Sequence, residues 1–406
     1  MRQVKEIAKN IYYVGCSDRR LALFENAFPI PRGVSYNSYL VLDEKTVLLD
    51  AANESVGAAF FENLEYLLKN RDGSPRPLDY VVVNHAEPDH CALLPEVMRR
   101  HPGAKIVGNA KTVLLLSQFL GFDVAPRAMI VRENDTLKTG KHAFTFYMVP
   151  MVHWPEAMVA YDATTKTLFS ADAFGTFGAL SGALFADEMD FERDWLPDAR
   201  RYYANIVGKY GSQVQALLNK ASQLDIQTLC PLHGPLWREN IGWFVEKYRK
   251  WSAYEPEDNA VAVFYASVYG HTGNAADILM RKLSERGARD IAAYDVSTVH
   301  FSDIVAEAFR AKVLVFASVT YNMGIFGAME TVLNELKAHN FQNRAAAVIE
   351  NGSWAPAAGA LIREKLAGMK NMTLIGDTLT IKSALREDQL KDIDALATQI
   401  VSVLKN

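Results

Sequence analysis

The stretch Tyr80-Val-Val-Val-Asn-His85-Ala-Glu87-Pro-Asp89-His90 joins an apolar run to a cluster of polar side chains. The run is aromatic and β-branched, a composition that favours a buried strand. Two imidazoles and two carboxylates follow within six residues. Side chains of these types are costly to bury close together without a cation to neutralise them. The stretch therefore predicts a metal-binding loop at the end of a buried strand.

Three further candidate ligands follow predicted strands downstream. His153 comes after residues 143–148, Asp172 comes after residues 167–170, and His233 lies in Cys230-Pro-Leu-His-Gly. A single His or Asp at a strand end is usually a cap, a turn residue or a hydrogen-bonded core group. Together with the 85–90 cluster, however, these residues predict ligands gathered at one rim of a sheet. Four histidines without such neighbours are predicted to be structural: His101, His142, His300 and His339.

The combined ligand set contains four imidazoles and three carboxylates. Such a set can hold two ions about 3.5–4 Å apart, with one carboxylate as a bridge. Zinc hydrolases with a loop of this kind are usually richer in histidine, whereas carboxylates favour harder ions such as iron or manganese. The set therefore favours iron, and zinc stays open as the alternative.

The region around these ligands mixes hairpins with helices. Residues 37–42 and 46–49 flank the turn Asp43-Glu44-Lys45 and predict a hairpin. Residues 58–69 and 201–218 have the periodicity of helices. This mixture is typical of an α+β fold or an αββα sandwich.

A second domain is predicted after the polar segment Trp251-Ser-Ala-Tyr-Glu-Pro-Glu-Asp-Asn259, so that residues 1–254 and 255–406 form separate domains. Beyond it, strands and helices alternate, which predicts a doubly wound, five-stranded parallel sheet. The predicted strands are 261–266, 291–296, 313–317, 345–349 and 373–381, and the predicted helices are 274–286, 302–310, 327–339, 357–366 and 387–404.

Three loops at the carboxyl ends of these strands predict a cofactor site, because ligands of such sheets bind there. The first contains hydroxyls and a glycine before a helix N-terminus, which is an anion nest suited to a phosphate. It is neither a Gly-x-Gly-x-x-Gly motif nor a P-loop, which argues against NAD and ATP. The two later loops offer amides and an aromatic side chain, Tyr321 or Trp354, to lie against a flat ring. The candidate residues are Ser267, Val268, Tyr269, Gly270, His271 and Thr272, then Ser318, Thr320, Tyr321, Asn322 and Gly324, then Asn351, Gly352, Ser353 and Trp354.

Composition narrows the class of protein further. The net charge of −4 over 406 residues leaves no basic excess for nucleic acid or anionic lipid. The Gly-rich stretch 173–186 is shorter than the ~20 residues of a spanning helix, and the charged start does not resemble a signal peptide. Cys16, Cys91 and Cys230 are far apart, which argues against a disulfide framework, and Cys91 and Cys230 are predicted to be buried. We therefore expect a cytoplasmic protein that binds neither nucleic acid nor membrane.

The motifs resemble a known family. His-x-Glu-x-Asp-His at residues 85–90 resembles the metal loop of the metallo-β-lactamase superfamily, in which the second ligand is usually His. Glu at position 87 resembles instead the flavodiiron proteins, also called A-type flavoproteins. The spacing of the later ligands and the neighbours His153-Trp-Pro and Ser170-Ala-Asp-Ala-Phe-Gly also resemble that family. The loop at residues 267–272 is similar to the phosphate loop of flavodoxins. The resemblance covers essentially the whole chain.

This resemblance implies a metallo-β-lactamase-like αββα domain with two irons, followed by a flavodoxin-like domain with FMN. One iron would be bound by His85, Glu87 and His153, and the other by Asp89, His90 and His233. Asp172 would bridge the two. The residue in the place of His90 does not bind metal in every member of the family.

The resemblance also implies an activity. FMN would pass electrons from an external donor, such as rubredoxin, a flavin reductase or a reduced deazaflavin, to the iron pair. The iron pair would reduce O2 to water, NO to N2O, or both, in a head-to-tail homodimer or a dimer of dimers. Two alternatives stay open: a dinuclear zinc hydrolase fused to a flavodoxin electron carrier, and a non-catalytic flavoprotein sensor.

Overall fold

The computed structural model describes residues 3–70 and 72–405. These residues form two compact units. One comprises the residues up to Tyr202 together with Ser212–Tyr248, and the other comprises Tyr203–Gly211 together with the residues from Arg249 onward. The predicted boundary between residues 254 and 255 lies close to the last of these transitions. Nothing in the sequence pattern predicts that residues 203–211 belong to the second unit.

The first unit contains two sheets and flanking helices, which confirms the predicted αββα architecture. The seven-stranded sheet runs in chain order, and its last four strands are parallel. In the five-stranded sheet only the last pair is parallel. The strands of the first sheet are Lys5–Ala8, Ile11–Tyr13, Tyr39–Leu42, Thr46–Leu49, Tyr80–Val82, Lys105–Gly108 and Ala128–Ile130. Those of the second are Thr136–Lys138, Ala143–Met148, Met158–Asp162, Thr167–Phe169 and Thr228–Cys230.

Two small ribbons and several helices complete this part of the chain. The ribbons pair Cys16–Asp18 with Val34–Tyr36 and Leu23–Phe24 with Phe28–Pro29. The α-helices are Gly57–Leu67, Pro88–Cys91, Leu94–Arg100, Ala110–Leu120, Phe191–Asp194, Leu196–Tyr202, Gly211–Ala221 and Ile241–Ser252. Single 3₁₀ turns occur at Glu54–Val56, Ala125–Arg127 and Ala186–Glu188.

The single helix predicted for residues 201–218 is wrong. Leu196–Tyr202 is followed by a π-helical turn at Tyr203–Val207 and a 3₁₀ turn at Gly208–Tyr210, and a new helix begins at Gly211. Glycine is a poor helix former, and two glycines here weaken a continuous helix. A Cβ atom at Gly211 would lie 2.3 Å from the carbonyl oxygen of Ser252, so the close approach of the two segments requires glycine.

The second unit confirms the doubly wound parallel sheet. Its strand order is Ile291–Asp295, Val261–Ala266, Val313–Tyr321, Ala345–Asn351 and Thr373–Leu374, and every neighbouring pair is parallel. Two short strands are added, Gly324–Ile325 beside Val313–Tyr321 and Leu379–Ile381 beside Ala345–Asn351. The helices are His271–Glu285, Phe301–Arg310, Gly327–Ala338, Ala358–Ala367 and Leu390–Lys405, with a 3₁₀ turn at Glu387–Gln389.

The last predicted strand, 373–381, is therefore two short strands. Gly376 lies between them in the left-handed region, with φ of 60°, a conformation that suits glycine and interrupts a strand. Both pieces still pair in parallel with Ala345–Asn351, so the predicted parallel sheet is retained.

No helix within residues 3–70 and 72–405 combines the length and the apolar character needed to span a membrane. All three cysteines are buried free thiols, which confirms the predicted burial of Cys91 and Cys230.

Candidate metal centre and flavin site

Four ligand-type side chains of the first unit converge on one point. The Nε2 atoms of His85 and His153 are only 3.4 Å apart, and each lies 3.1 Å from Oε2 of Glu87. Asp172 completes the group, because its Oδ2 lies 3.1 Å from Nε2 of His153 and 3.3 Å from Nε2 of His85. This arrangement directs two nitrogen and two oxygen donors at a shared centre.

A second group lies next to the first. Nε2 of His90 is 3.4 Å from Oδ1 of Asp89, and Nε2 of His233 is 3.3 Å from Oδ2 of Asp89. The other carboxylate oxygen of Asp172, Oδ1, lies 3.1 Å from Nε2 of His90 and 3.7 Å from Nε2 of His233. Asp172 therefore presents one oxygen to each group, as a bridging carboxylate would. All seven predicted ligands are brought together.

The backbone after Tyr80–Val82 explains how the 85–90 cluster serves both groups. Glu87 is extended, with φ of −67° and ψ of 142°, and its side chain does not cap the following helix. Pro88 then starts the helical turn Pro88–Cys91, in the position where proline is best tolerated. The cluster was predicted as a loop, but Asp89 and His90 lie on this turn. The turn directs them away from the group that contains Glu87.

Unpartnered polar atoms test whether these residues fit a pair of metal ions. Among the described residues, both oxygens of Asp89, both nitrogens of His90, Oδ1 of Asp172 and Nε2 of His233 are buried without a hydrogen-bond partner. Leaving such atoms unpaired is costly. Cations at the two adjacent points would satisfy all of these atoms except Nδ1 of His90, because that imidazole faces the group through Nε2. The donor set therefore fits a dinuclear centre.

The electrostatics of the site also favour cations. Burial by itself lowers the pKa of a histidine, but neighbouring carboxylates outweigh it here and raise the pKa of His153 to about 9 and that of His90 to about 8. The same balance raises the pKa of His85 well above its usual value. Burial opposes ionisation of Asp172, yet the imidazoles of His85 and His90 hold its pKa well below its usual range. The pocket thus attracts positive charge.

Two residues of this site were missed by the sequence argument. Glu156 is buried and its Oε1 lies 2.8 Å from Nδ1 of His85. Tyr202 is fully buried, its ring centroid lies 5.5 Å from that of His233, and its hydroxyl has no hydrogen-bond partner among the described residues. Glu156 lies three residues after His153, and this short distance in sequence was only a weak indication that it belongs to the site. Tyr202 had none, because it lies in a helical run of ordinary composition.

The second unit has a cavity of about 630 Å³ at the carboxyl ends of its strands. Three predicted loops line it, and large aromatic side chains are open to solvent beside it. Tyr269 is 89% exposed, Trp354 is 88% exposed and Tyr321 is 51% exposed. Exposed aromatics around a cleft are suited to the face of a flat ring.

Most of the predicted cofactor residues line this cavity: Ser267, Val268, Tyr269, His271, Thr272, Thr320, Tyr321, Asn322, Asn351, Gly352, Ser353 and Trp354. Gly270, Ser318 and Gly324 are not among the lining residues. The hydroxyl of Ser318 instead donates to the carbonyl of Val319. The hydroxyl of Thr320 accepts from the backbone N–H groups of Ala357 and Ala358, so it joins two ring loops.

A fourth loop was missed. Ser383 lines the cavity after the last strand, and its backbone N–H donates to Oδ1 of Asn351. Nδ2 of Asn351 donates in turn to the carbonyl of Ser383 and to the hydroxyl of Thr272. Asn351 thus connects three loops of the cavity. The sequence pattern predicts one continuous last strand, so it does not indicate this loop.

The phosphate end of the cavity also fits the predicted group. The buried hydroxyl of Ser267 has no partner among the described residues. It lies just before the helix His271–Glu285, whose N-cap Gly270 has φ of 87°. A helix N-terminus and free hydroxyls favour an anion. Together with the exposed aromatics, these residues fit a phosphate-bearing ring cofactor.

Comparisons with known proteins agree with this geometry. A family model described as ODP family beta lactamase matches residues 34–234, and the flavodoxin family model matches residues 263–394. The chain is 29% identical over 406 residues to the nitric oxide reductase of Moorella thermoacetica, with 99% of each chain covered.

Two solved structures are similar over nearly the whole chain. Rubredoxin oxygen:oxidoreductase from Desulfovibrio gigas superimposes with a TM-score of 0.90 at 26% identity and covers 99% of both chains. The flavodiiron protein from Giardia intestinalis superimposes with a TM-score of 0.90 at 25% identity and covers 100% of this chain and 98% of its own.

Proposed function

Since this chain belongs to the flavodiiron protein family, we propose that it is an oxidoreductase that takes electrons from an external donor and reduces O2 to water, NO to N2O, or both. When bound, FMN and a pair of iron ions would supply the transfer and storage of electrons that this chemistry requires. The observation that carries the proposal is the convergence of three carboxylates and four imidazoles on two adjacent points.

The seven candidate ligands would form two groups, one for each iron, with one shared bridge. His85, Glu87 and His153 would hold one iron, Asp89, His90 and His233 would hold the other, and Asp172 would bridge them. This division is supported by the two groups of donor atoms and by the two oxygens of Asp172 that face them.

The chain's own residues would hold FMN at both ends. The hydroxyl of Ser267 and the N-terminus of the helix His271–Glu285 are suited to the phosphate. The loops that carry Tyr321 and Trp354 are suited to the ring, and hydrogen bonds from the backbone N–H groups of Ala357 and Ala358 to the hydroxyl of Thr320 join them. The zinc hydrolase alternative is less well supported, because the similar proteins are named as reductases and an oxidoreductase.

The gas and the donor are part of the proposal. One relative is named for nitric oxide and one structural neighbour for oxygen, so both gases are candidate substrates. The name of that neighbour also includes rubredoxin, which supports a small redox protein as the external donor, beside a flavin reductase or a reduced deazaflavin.

The first test is gas consumption by the anaerobically purified, iron-loaded and reduced protein, with O2 and NO supplied in separate runs. Sustained O2 loss without peroxide would support an oxygen reductase, and NO loss with N2O formed would support a nitric oxide reductase. Loss of neither gas, in a protein that cleaves thioesters or phosphodiesters with zinc bound, would favour the hydrolase instead.

We also propose a head-to-tail homodimer, or a dimer of dimers, in which one subunit's FMN serves its partner's iron. Each unit on its own exposes apolar side chains of the kind that interfaces bury. Leu114, Ile130 and Phe119 are 58%, 54% and 49% exposed in the first unit, and Trp354 is 88% exposed in the second.

A mixed dimer of two inactive variants tests this assembly. A chain with an inactive iron site, Glu87→Ala, is co-expressed with a chain that lacks FMN, Ser267→Ala combined with Trp354→Ala. The mixed dimer is then purified with two affinity tags. In a head-to-tail dimer the intact FMN of one chain serves the intact iron of the other, so gas reduction returns to about half of the wild-type rate. A mixed dimer without activity would contradict the arrangement.

A further inference from the structure

The two groups of ligands contain the same residue types. His85, Glu87 and His153 form what we call the first position, and Asp89, His90 and His233 form the second position. Each position has two imidazoles and one carboxylate, and each faces one oxygen of Asp172. Ligand types alone therefore make the two positions equal in charge, so the groups around the ligands can distinguish them.

Behind the first position stands a carboxylate. Oε1 of Glu156 lies 2.8 Å from Nδ1 of His85, and both side chains are fully buried. A carboxylate on Nδ1 keeps the proton on that nitrogen, so Nε2 is left with its lone pair facing the other ligands.

At the second position, by contrast, no carboxylate of the described residues is hydrogen-bonded to Nδ1 of an imidazole ligand. Nδ1 of His233 donates to the carbonyl oxygen of Ser35 at 2.7 Å, which is a neutral acceptor. Nδ1 of His90 has no hydrogen-bond partner among residues 3–70 and 72–405. A carbonyl orients an imidazole but raises its basicity less than a carboxylate does.

Glu156 is held in place from two sides. Its Oε1 also accepts from the backbone N–H of Ala86 at 2.9 Å, and its own carbonyl accepts from Nδ2 of Asn109 at 2.6 Å. Asn109 in turn caps the helix Ala110–Leu120 through its Oδ1. Oε2 of Glu156 is buried without a partner in the described part of the chain. A buried carboxylate that is only half satisfied costs stability, which is hard to explain by folding alone.

We propose that Glu156 is a positioning residue for His85, and that it makes the first position hold its ion more tightly than the second. The inference rests on the proposed function, because it assigns unequal affinities to the two iron positions of that site. Loss of a carboxylate behind a metal-binding histidine typically weakens metal binding about 10–100-fold. The ions should therefore leave in a fixed order, the second position first.

The test measures the iron content of the protein rather than its activity. The anaerobic, ferrous-loaded full-length protein is titrated with the chelator ferrozine, and the iron retained per FMN is measured at each concentration. We expect the wild-type protein to lose its ions in two separate steps. His233→Ala should lack the easily extracted ion and keep the other, and His153→Ala should show the converse.

The variant Glu156→Gln keeps the size of the side chain and removes its charge. Its tightly held ion should be extracted at about 10–100-fold lower chelator concentration. Asp162→Asn is the matched control, because Oδ2 of Asp162 lies 2.8 Å from Nδ1 of buried His142, which belongs to neither position. That variant should release iron as the wild-type protein does.

Several results would overturn the inference. They are release of both wild-type ions in one step, loss of the tightly held ion in His233→Ala, and a Glu156→Gln curve identical to the wild-type curve. The two histidine variants decide the order of release even if Glu156→Gln does not fold, as judged by FMN content and circular dichroism. A wild-type protein that holds no pair of irons would overturn the proposed function itself, which is a different outcome from equal positions.

Discussion

The ring of Tyr202 packs 5.5 Å, centroid to centroid, from the imidazole of His233, and its hydroxyl is buried without a hydrogen-bond partner among the described residues. Burial, reinforced by the nearby carboxylates of Asp172 and Asp89, raises the pKa of this phenol well above its usual value. Tyr202 therefore keeps its proton at neutral pH, and its hydroxyl is available as a hydrogen-bond donor. Both candidate reactions consume protons, so we expect a hydrogen-bond donor beside the second position to assist them.

Tyr202→Phe tests this role. Gas reduction should fall by about 100-fold, as expected when one hydrogen-bond donor is removed from an active site, while iron and FMN contents stay at wild-type values. Tyr12→Phe is the control, because the phenol of Tyr12 is partly exposed and belongs to neither ligand group. An unchanged rate in Tyr202→Phe would show that the hydroxyl has no part in catalysis.

Glu87→Ala should remove one iron per chain and abolish gas reduction, because the first position would lose its only unshared carboxylate. FMN should remain bound, since its cavity contains no residue of this group. Metal analysis with flavin absorbance measures both quantities in one sample. Glu96→Ala, which removes a carboxylate paired with Arg99 and Arg100, should retain both irons. Full activity and a full iron count in Glu87→Ala would refute the ligand assignment.

Metal binding should strengthen as pH rises from neutral to about 9. The carboxylates of the site raise the pKa of His153 to about 9 and that of His90 to about 8, so the metal-free protein holds protons on both imidazoles at neutral pH. A metal ion must displace these protons. Affinity should therefore rise by up to about tenfold per pH unit for each proton released. Calorimetry of cobalt(II) binding in buffers of different ionisation enthalpy measures that release, and zero protons would contradict the expectation.

Substitution of two serines of the second unit should change the affinity for FMN to different extents. The buried hydroxyl of Ser267 lines the cavity and has no protein partner among the described residues, so it is available to a phosphate. Losing a hydrogen bond to a charged group costs about 1.5–3 kcal/mol, so Ser267→Ala should bind FMN about 10–100-fold more weakly. Ser318→Ala should bind it normally, because that hydroxyl donates to the carbonyl of Val319. Equal FMN affinities, from fluorescence titration, would remove Ser267 from the site.

Much of this architecture is visible in the sequence because its signals are local. The alternation of strands and helices after residue 255 requires only short-range periodicity, and it predicted the parallel sheet. Where a glycine interrupts the pattern, as at Gly211 and Gly376, the local signal failed. At Gly376 the strand is interrupted by a residue in the left-handed region. At Gly211 the helix is interrupted where a segment distant in sequence approaches the backbone closely.

The sequence by itself determined the types of ligand and the rim on which they gather, because ligand chemistry and strand ends are properties of short segments. Only the tertiary structure decided that Glu87 faces one group while Asp89 and His90 face the other, since the helical turn at Pro88–Cys91 directs neighbouring side chains apart. It also brought Glu156 to His85 and Tyr202 to His233. Such contacts join residues far apart along the chain, and they depend on how the sheets and helices pack rather than on any local pattern.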